Sequence, residues 1–588
     1  MSRSASLLIA GTAVLLLSAG PTGLRTDASR KSPELLTPCE VPGVAGKGRC
    51  GTYEVYEDRA ARKGRKISLK IVVLPATGAP IAPDPFVFLS GGPGEAATES
   101  APGLAGDLRA IREHRDLLFV DQRGTGGSHP LNCEMYVPRE NLQSYLGEFF
   151  PVESVRRCRR ELEKNSDLTR YTTPDAMDDL DDVRAALGYE RLNVLGGSYG
   201  TRAAQVYLKR HPRHVRTVVL HGVVPTDDHM PLHFPHNAQR ALSGVLEECA
   251  AEPACRAAFP DLAREARDLF SGLARSPVQT AALNPRTGDP TEVSLSRDLA
   301  AEAVRYMLYS PAAAGEIPAV IHQAAQGDFA PLAERALYGR VEIVGGGSAG
   351  LYLSVTCSED VPWIRPGEGE RQAEGTFLGD YRLRQQRAAC ALWPRAPIPE
   401  DYFGRVTGGA PVLLLSGQWD PATPPSNSDT VAKSLPRSLH LVVPHGGHAF
   451  EGLLGVDCVL DLIAAFVERG TTDGLETSCV SKIRRPPFRV ESFPTKVMAL
   501  EDKDLSRLAG RYVEEGGTLE AVYEVRGGKI VASVGGEQFL LVPVSPTRFR
   551  IPGDPMADVT FEVEEGRVQR IVVTEGGTPV RKFVPRKG

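Results

Sequence analysis

Two serines of this sequence lie in the pattern Gly-x-Ser-x-Gly, which is typical of a nucleophilic serine on a tight turn. Ser198 follows an apolar run, Leu192–Leu195, and precedes a helix-forming stretch that begins at Thr201. This strand–turn–helix order predicts that Ser198 presents its hydroxyl at a helix N-terminus as a nucleophile. Ser348 has the same glycine spacing, but it lies in a glycine-rich stretch without an evident helix start after it, which predicts a flexible loop.

A serine hydroxyl needs an imidazole to take its proton and a carboxylate to orient that imidazole. Asp420 follows the apolar run Val412–Leu415, and His448 follows the apolar run Leu439–Val443. The order Ser198, Asp420, His448 along the chain is the order found in α/β hydrolases. We therefore predict that these three residues are catalytic.

Two histidines compete for the role of the base. His448 follows two glycines and precedes a predicted helix, Phe450–Arg469, so a loop can carry its ring over Ser198. His445 lies nearer the strand end, which favours a packing or supporting role. The two histidines also form a His-x-x-His pattern, but no Glu follows the first and no third zinc ligand is evident. We predict no metal and no cofactor.

Backbone N–H groups must stabilise the oxyanion of a tetrahedral intermediate. The apolar run Phe86–Leu89 ends in a glycine-rich turn, Ser90–Gly94, and we assign the oxyanion hole to the N–H groups of Gly92 and Tyr199. A second glycine-rich loop, Asp121–Ser128, suggests phosphate binding, but the pattern Gly-x-x-x-x-Gly-Lys-[Ser/Thr] is absent. A structural corner beside the oxyanion turn is the favoured interpretation of that loop.

The elements that must position these residues alternate between strand and helix, which predicts an α/β sheet with right-handed crossovers. We assign residues 35–224 and 411–485 to an α/β-hydrolase core. Residues 225–410 are rich in Ala, Arg, Glu and Leu, and they predict a helical cap inserted between two strands. Residues 500–588 contain short β-type segments between glycine turns, which predicts a separate, small, barrel-like all-β domain.

The composition indicates a globular protein without a strong field of one charge. The 588 residues are 42% hydrophobic, and 68 Lys and Arg stand against 73 Asp and Glu, for a formal net charge of −5. A large basic surface for nucleic acid is therefore not expected, and we predict no nucleic-acid partner. The sequence predicts no particular oligomeric state.

The N-terminus has the form of a secretory signal. Arg3 supplies the positive charge, Leu7–Leu17 is a mainly apolar stretch, and small residues follow at 18–20. A helix of that length rises roughly 16 Å, about half of a bilayer core, so a cleaved signal at residues 1–20 is favoured over a stable membrane span. We predict a protein that is secreted or that resides in the periplasm or cell envelope.

The cysteines fit the same oxidising compartment. The sequence contains 10 Cys and no Cys-x-x-Cys pattern. Free buried thiols are the alternative to disulfides for some of them. The predicted pairing joins sequence neighbours: Cys39–Cys50, Cys133–Cys158, Cys249–Cys255, Cys357–Cys390 and Cys458–Cys479.

Together these residues resemble the proline iminopeptidase and tripeptidyl-aminopeptidase-like branch of the α/β-hydrolase superfamily. The resemblance is carried by Ser90–Gly94, Asp121–Ser128, Gly196–Gly200, Asp420 within Trp419–Pro424, and Gly447–His448. It covers roughly residues 35–485, and it implies exopeptidases that act on free N-termini beneath a helical cap. Proline iminopeptidases have His before the two glycines where this sequence has Ser90, which favours the secreted tripeptidyl type. The tail resembles a small lipocalin-like β domain.

The resemblance also implies a carboxylate that pairs with the α-ammonium group of the substrate, because a buried ammonium needs a counter-charge. In this branch a Cys-x-Glu-Asp stretch of the cap is the candidate, here Glu359 or Asp360. The alternative for these residues is a solvated helix cap.

The predicted function is that of a secreted serine aminopeptidase, which releases amino acids or short peptides from peptide substrates through an acyl-enzyme. A fold and a triad do not fix the leaving group. An esterase or amidase for small hydrophobic substrates is therefore one alternative. A binding protein that keeps the fold without turnover is the other.

Overall fold

A computed structural model describes residues 35–44, 46–136, 141–345, 347–575 and 578–586. The predicted signal at residues 1–20 lies outside these residues. The chain begins with strands and helices in alternation. The strands are β1 (Leu36–Glu40), β2 (Lys47–Tyr56), β3 (Lys66–Leu74), β4 (Phe86–Leu89), β5 (Leu117–Val120), β6 (Leu192–Gly197) and β7 (Val215–His221). The helices are α1 (Ala101–Asp107), α2 (Arg109–Arg112), α3 (Leu142–Tyr145), α4 (Val152–Leu162), α5 (Thr173–Ala186) and α6 (Tyr199–Arg210).

A long helical segment follows β7, in the region predicted as a cap. Its helices are α7 (Phe234–Ala251), α8 (Pro253–Ala258), α9 (Leu262–Arg275), α10 (Arg297–Met307), α11 (Pro311–Ala314), α12 (Ile317–Ala325), α13 (Ala330–Gly345), α14 (Ala349–Glu359), α15 (Glu368–Ala373) and α16 (Tyr381–Cys390). An antiparallel hairpin that the sequence analysis did not predict interrupts them, formed by β8 (Val278–Leu283) and β9 (Pro290–Leu295). Apolar residues of α7, α9, α10, α12 and α13 share one buried core.

The chain then returns to the sheet with β10 (Val412–Gly417), α17 (Pro425–Ala432), β11 (Ser438–Val443) and α18 (Asp457–Arg469). The strand order of the sheet is β1-β2-β3-β5-β4-β6-β7-β10-β11. Six neighbouring strands of this sheet run parallel, namely β5, β4, β6, β7, β10 and β11. The pairs β1–β2, β2–β3 and β3–β5 are antiparallel. The apolar runs of β5 and β10 are fully buried, as expected for strands covered on both faces. The predicted α/β class is thus confirmed.

Helix α18 begins seven residues later than the predicted start at Phe450. Gly452 and Gly455 adopt φ values of 89° and 81° in the intervening loop. These left-handed conformations do not occur inside a right-handed helix, so the prediction was wrong over this stretch.

The C-terminal part is a closed antiparallel barrel, which confirms the predicted β domain. It follows the short helix α19 (Asp502–Ser506). Its strands are β12 (Gly510–Glu514), β13 (Glu520–Arg526), β14 (Lys529–Val534), β15 (Glu537–Pro543), β16 (Arg548–Ile551), β17 (Asp554–Glu564), β18 (Arg567–Glu575) and β19 (Thr578–Pro585). Buried aromatic side chains, among them Tyr523, Phe549 and Phe561, pack edge to face in its interior. The interior is therefore a packed core of side chains.

The barrel contacts the helical segment. Arg550 of β16 forms a buried ion pair with Glu334 of α13, and Lys529 of β14 pairs with Asp289 at 2.7 Å. The chain that leads into the barrel exchanges two hydrogen bonds between Phe493 and Gln323 of α12. The barrel is thus fixed to the segment that covers the sheet edge.

All five predicted disulfides are present, with Cα–Cα separations from 5.0 to 6.2 Å. No cysteine in the described residues is free. Among the helices of the described ranges, none combines the length and the apolar character needed to cross a bilayer.

Candidate active site

Ser198 lies at the sharp turn between β6 and α6. Its backbone has φ 53° and ψ −123°, a conformation that is rare for a residue with a side chain. A Cβ on Gly200 would lie 2.0 Å from the carbonyl oxygen of Leu89, so only glycine lets α6 approach β4 this closely. The N–H of Ser198 donates to the carbonyl of His221 at 2.9 Å, which holds the turn against β7.

Asp420 and His448 lie beyond the ends of the neighbouring strands β10 and β11, and the structure brings them together. His448 Nδ1 lies 2.8 Å from Asp420 Oδ2. Asp420 is completely buried. It also accepts hydrogen bonds from the N–H groups of Ala422 and Thr423, at 2.8 and 2.7 Å, and from the hydroxyl of Thr423 at 2.7 Å. These donors orient the carboxylate that in turn orients the imidazole.

The pKa values of Asp420 and His448 shift in opposite directions. Burial favours the neutral acid at Asp420, but the His448 ring and the hydrogen bonds from Thr423 outweigh it and hold the pKa of the carboxyl below its ordinary value. Burial also favours the neutral imidazole, yet the adjacent Asp420 carboxylate raises the pKa of His448. The ring is therefore a stronger base than a free imidazole.

The loop that carries His448 packs against the end of α10. The N–H of Ala449 donates to the carbonyl of Tyr309 at 2.8 Å, and the rings of Tyr309 and His448 meet edge to face with centroids 4.9 Å apart. A Cβ on Gly447 would lie 2.5 Å from the Tyr309 carbonyl, which explains the glycine at this position. His445 instead bonds Glu248 of α7 at 2.8 Å, in the supporting position that the sequence analysis favoured.

The predicted oxyanion turn follows β4 and lies beside Ser198. The N–H of Gly91 donates to Glu95 Oε2 at 3.1 Å and is therefore already engaged. Gly92 lies on the cavity wall with φ 102°. Tyr199 is the first residue of α6, where an N–H has no partner inside the helix. Both groups that the sequence analysis chose are thus near the nucleophile.

The loop Asp121–Ser128 has the structural role that the sequence analysis favoured. Asp121 accepts hydrogen bonds from the N–H and hydroxyl of Thr98 at 2.8 and 3.0 Å, and from the N–H of Gly127 at 2.9 Å. Arg123 is wholly buried and holds Asp179 of α5 with two hydrogen bonds of 2.7 and 2.9 Å. This loop ties the segment after the oxyanion turn to the core.

A cavity of about 390 Å³ connects the candidate residues. Ser198, His448, Gly91 and Gly92 line it, together with the following residues of the cap and its neighbouring loops: Met135, Phe149, Phe150, Met230, Phe234, Glu302, Arg305, Tyr306, Tyr309, Tyr352 and Arg382. Apolar and aromatic side chains predominate among these residues. The charged side chains on the wall are Glu95, Glu302, Arg305 and Arg382.

Ser348 departs from its predicted structure. It directly precedes α14, its side chain is buried, and it lines the same cavity as Ser198. Its N–H donates to the carbonyl of Gly94 at 2.8 Å, which attaches the cap to the oxyanion turn. The prediction of a flexible loop without a following helix was therefore wrong, because the chain after Ser348 is helical from Ala349.

Glu359 and Asp360 are completely buried, and neither is among the residues that line the cavity. Glu359 accepts hydrogen bonds from the N–H and hydroxyl of Thr173, both at 2.7 Å, and from the hydroxyl of Tyr402. Asp360 forms an ion pair with Arg202 of α6 at 2.8 Å. The structure therefore places both carboxylates behind the nucleophile turn, where they join α14 to α5 and α6.

A possible cation site in the described residues lies away from the cavity. Ligand atoms of Asp181, His211 and His214 lie within 4.8 Å of one another. Asp181 is already bonded by Arg184 at 2.8 Å and by Tyr207 at 3.0 Å. None of the three lines the cavity, so the chemistry at Ser198 does not involve them.

The sequence contains no pattern that identifies the cap residues of the cavity wall. Glu302, Arg305 and Tyr309 lie on or just after α10, and Arg382 lies on α16. Each is one charged or aromatic residue in a helix that has many, so no local pattern distinguishes it. Glu95 directly follows the glycine-rich turn that ends at Gly94, so its place in the sequence could have identified it as a residue near the nucleophile.

Two curated relatives are peptidases. The chain is 28% identical over 480 residues to the serine protease Hip1 of Mycobacterium tuberculosis, covering 75% of this chain and 90% of that protein. It is 26% identical over 465 residues to the tripeptidyl aminopeptidase of Streptomyces lividans, covering 73% of this chain and 83% of that protein.

Among solved structures, the proline iminopeptidase of Mycobacterium smegmatis aligns with 71% of this chain and 98% of its own at 15% identity, with a TM-score of 0.33. The family described as the α/β hydrolase fold matches residues 84–450 of this chain, a range that contains the parallel strands, the nucleophile turn and His448. With a largely parallel sheet, a serine at the sharp turn after β6 and an Asp–His pair beyond β10 and β11, the chain belongs to the α/β-hydrolase family.

Proposed function

We propose that this protein is an exported serine aminopeptidase, which cleaves short peptides at free N-termini through an acyl-enzyme on Ser198. The observation that carries the proposal is the oriented Asp420–His448 pair, at 2.8 Å, on a cavity that Ser198 also lines. The peptidase activities of the two curated relatives support it. Five disulfides support an oxidising compartment.

In the proposed mechanism His448 removes the proton from the Ser198 hydroxyl as the oxygen attacks the scissile carbonyl. Asp420 holds the ring and stabilises the imidazolium that forms. The N–H groups of Gly92 and Tyr199 stabilise the oxyanion. His448 then gives its proton to the leaving amine, and a water molecule activated by the same ring hydrolyses the acyl-enzyme.

A free N-terminus requires a carboxylate in the cavity, and Glu95 is the candidate that its position supports. Glu95 is accessible from the cavity that it lines, while the surrounding protein removes much of the bulk water from its carboxyl group. A Cβ on Gly91 would lie 3.1 Å from Glu95 Oε2 and 3.2 Å from the Cβ of Ser198, so the carboxylate is close to the nucleophile. Burial raises the pKa of Glu95, and an arriving ammonium group would favour its ionised form.

The test is a digest of a peptide library by the wild type and by Ser198→Ala, with each peptide supplied with a free and an acetylated N-terminus. Mass spectrometry identifies the released fragments. We expect release from free N-termini, little from acetylated ones, and none with Ser198→Ala. Equal cleavage of acetylated peptides contradicts the proposal. Turnover of small apolar esters without any peptide cleavage would favour the esterase alternative.

A further inference from the structure

Three arginines of the cap surround the carboxylate of Glu302, and two of them, Arg305 and Arg382, line the cavity. Arg305, Arg340 and Arg382 come from α10, α13 and α16, and their exposed fractions are only 2%, 3% and 5%. Glu302 accepts a hydrogen bond from Arg305 at 3.3 Å. In the part of the chain that the structure describes, no carboxylate lies within ion-pair distance of Arg340 or Arg382. This buried cluster therefore carries more positive than negative charge.

Glu302 cannot neutralise the cluster. Its second oxygen accepts the hydroxyl of Tyr381. Burial alone would raise the pKa of Glu302, but the surrounding arginines, Arg305 and Arg382 foremost, lower it. The carboxylate is therefore ionised and supplies a single negative charge to three guanidinium groups.

Two of the three arginines, Arg305 and Arg340, have two acceptors each within the protein. Arg305 donates to the hydroxyl of Tyr309 at 2.7 Å as well as to Glu302. Arg340 donates to the hydroxyl of Tyr136 at 3.1 Å and to the carbonyl of Gly147 at 3.3 Å. Their positions are explained by these contacts.

Arg382 lacks comparable partners. Its guanidinium carbon lies 3.4 Å from the ring centroid of Phe149, so the group is stacked on an aromatic face. Its only hydrogen bond within the described residues joins Nη2 to the hydroxyl of Tyr352 at 3.5 Å. Nε and Nη1 are buried without a partner. A desolvated guanidinium is costly unless an acceptor compensates it, and its planar edge suits a carboxylate.

Arg382 lines the same cavity as Ser198, and Tyr352 and Phe150 lie beside it on the wall. Arg305 connects this region to the nucleophile, because it holds Tyr309, whose ring contacts His448. A substrate that acylates Ser198 therefore occupies the same cavity as the guanidinium of Arg382, which has no ion-pair partner among the described residues.

We propose that Arg382 binds a carboxylate group of the substrate, so that the enzyme selects peptides with an anionic group at a fixed distance from the scissile bond. The carboxylate belongs either to an acidic side chain or to the C-terminus of a short peptide. The proposal rests on the proposed peptidase function only in taking the substrate to be a peptide.

The first experiment measures binding without turnover, using Ser198→Ala. Isothermal titration compares peptide pairs that differ only by Glu against Gln at one position, and pairs that end in a carboxylate against an amide. We expect the anionic member of one pair to bind at least about tenfold more tightly, because a site built for hydrogen bonds to a carboxylate loses them with the neutral analogue. Equal affinities in every pair, or no binding of any, would overturn the proposal.

The second experiment repeats the preferred pair in Ser198→Ala combined with Arg382→Gln or with Arg382→Lys. The Gln variant should abolish the preference, and the Lys variant should keep part of it. The matched control is Arg384→Gln on the same helix, an exposed arginine that pairs with Asp380 at 2.9 Å, and it should leave the preference unchanged. A preference that survives Arg382→Gln assigns the carboxylate to another group and refutes the proposal.

These measurements separate the two hypotheses. If the wild type cleaves no peptide, yet Ser198→Ala prefers the anionic member through Arg382, the carboxylate site stands and the peptidase proposal fails. If the wild type cleaves acidic and neutral peptides equally and binding shows no preference, the peptidase proposal stands and the carboxylate site fails.

Discussion

At the scale of single residues, the proposed reaction depends on a base, His448, whose pKa is raised by one neighbour, Asp420. Asp420 is completely buried, and it receives its hydrogen bonds from the Thr423 side chain, from two backbone N–H groups and from His448. The carboxylate can therefore neither rotate nor accept a proton readily. Its charge is directed at the imidazole.

This arrangement predicts the direction of a pH dependence. The carboxylate of Asp420 raises the pKa of His448 above the ordinary value near 6.5. Because catalysis needs the neutral ring, kcat/KM should rise with pH through an inflection above that value. Asp420→Asn should move the inflection downward and lower kcat/KM about 10³–10⁴-fold. A pH–rate profile of both proteins checks this, and an unchanged inflection in the variant would contradict the assignment.

Among single residues of the site, some can be identified from the sequence and others cannot. Ser198, Asp420 and His448 each follow an apolar run that ends at the sheet edge, so local patterns identify them. Glu95 and Arg382 acquire their surroundings from segments distant in the chain. The access of Glu95 to the cavity, and the absence of an ion-pair partner for Arg382 among the described residues, are tertiary properties that no local sequence pattern contains.

At the scale of elements, the buried network between α14 and α6 supports the nucleophile turn. Thr173 donates its hydroxyl proton to Glu359, so the Tyr199 hydroxyl donates to the Thr173 oxygen, at 2.7 Å. The segment Cys357–Asp360 thus connects the cap to the helix that begins at the nucleophile.

Substitution of Glu359 distinguishes a structural role from an ammonium-binding one. Glu359→Gln places an amide where three donors point at a carboxylate, and we expect a loss of about 1–3 kcal/mol in the free energy of unfolding. The ratio of cleavage between free and acetylated N-termini should stay at the wild-type value. Denaturant unfolding and the peptide assay measure the two effects.

The matched control for this variant is Glu370→Gln, at an exposed position of the cap. It should change neither quantity. A collapse of the free-to-acetylated ratio in Glu359→Gln would instead support the role that the sequence resemblance implied.

The sequence predicts the ends of an element correctly where a short-range pattern determines them. Runs such as Phe86–Leu89 and Leu117–Val120 coincide with β4 and β5, because an apolar run bounded by polar residues is a local signal. The predicted helix Phe450–Arg469 and the loop at Ser348 differed, since contacts from other segments fix both. The backbone at Ser348 is held by Gly94, and the loop after His448 packs against Tyr309.

At the scale of the whole molecule, the barrel is attached to the cap through a buried ion pair. The side chains of Arg550 and Glu334 are 7% and 9% exposed. Arg550 also donates to the carbonyl of Pro494 at 3.2 Å. The sequence predicted a separate β domain, but its position against α13 depends on complementary charges about 200 residues apart.

Breaking this pair should destabilise the protein more than replacing it. Glu334→Gln leaves a buried guanidinium without its counter-charge, and we expect a loss of about 3–5 kcal/mol. Glu334→Met combined with Arg550→Met should recover a large part of that loss. Thermal and denaturant unfolding of Glu334→Met, Arg550→Met and the double variant measure the coupling, and strictly additive losses would show that the two side chains do not interact.

We place the reaction of the whole molecule on one hydroxyl, that of Ser198. The most direct measurement is labelling with a fluorophosphonate, followed by intact-mass analysis and peptide mapping of the wild type, Ser198→Ala and His448→Ala. We predict a single adduct on Ser198, no adduct in Ser198→Ala, and labelling slowed by at least about 10³-fold in His448→Ala. An adduct on Ser348, no adduct at all, or undiminished labelling in His448→Ala would contradict the account.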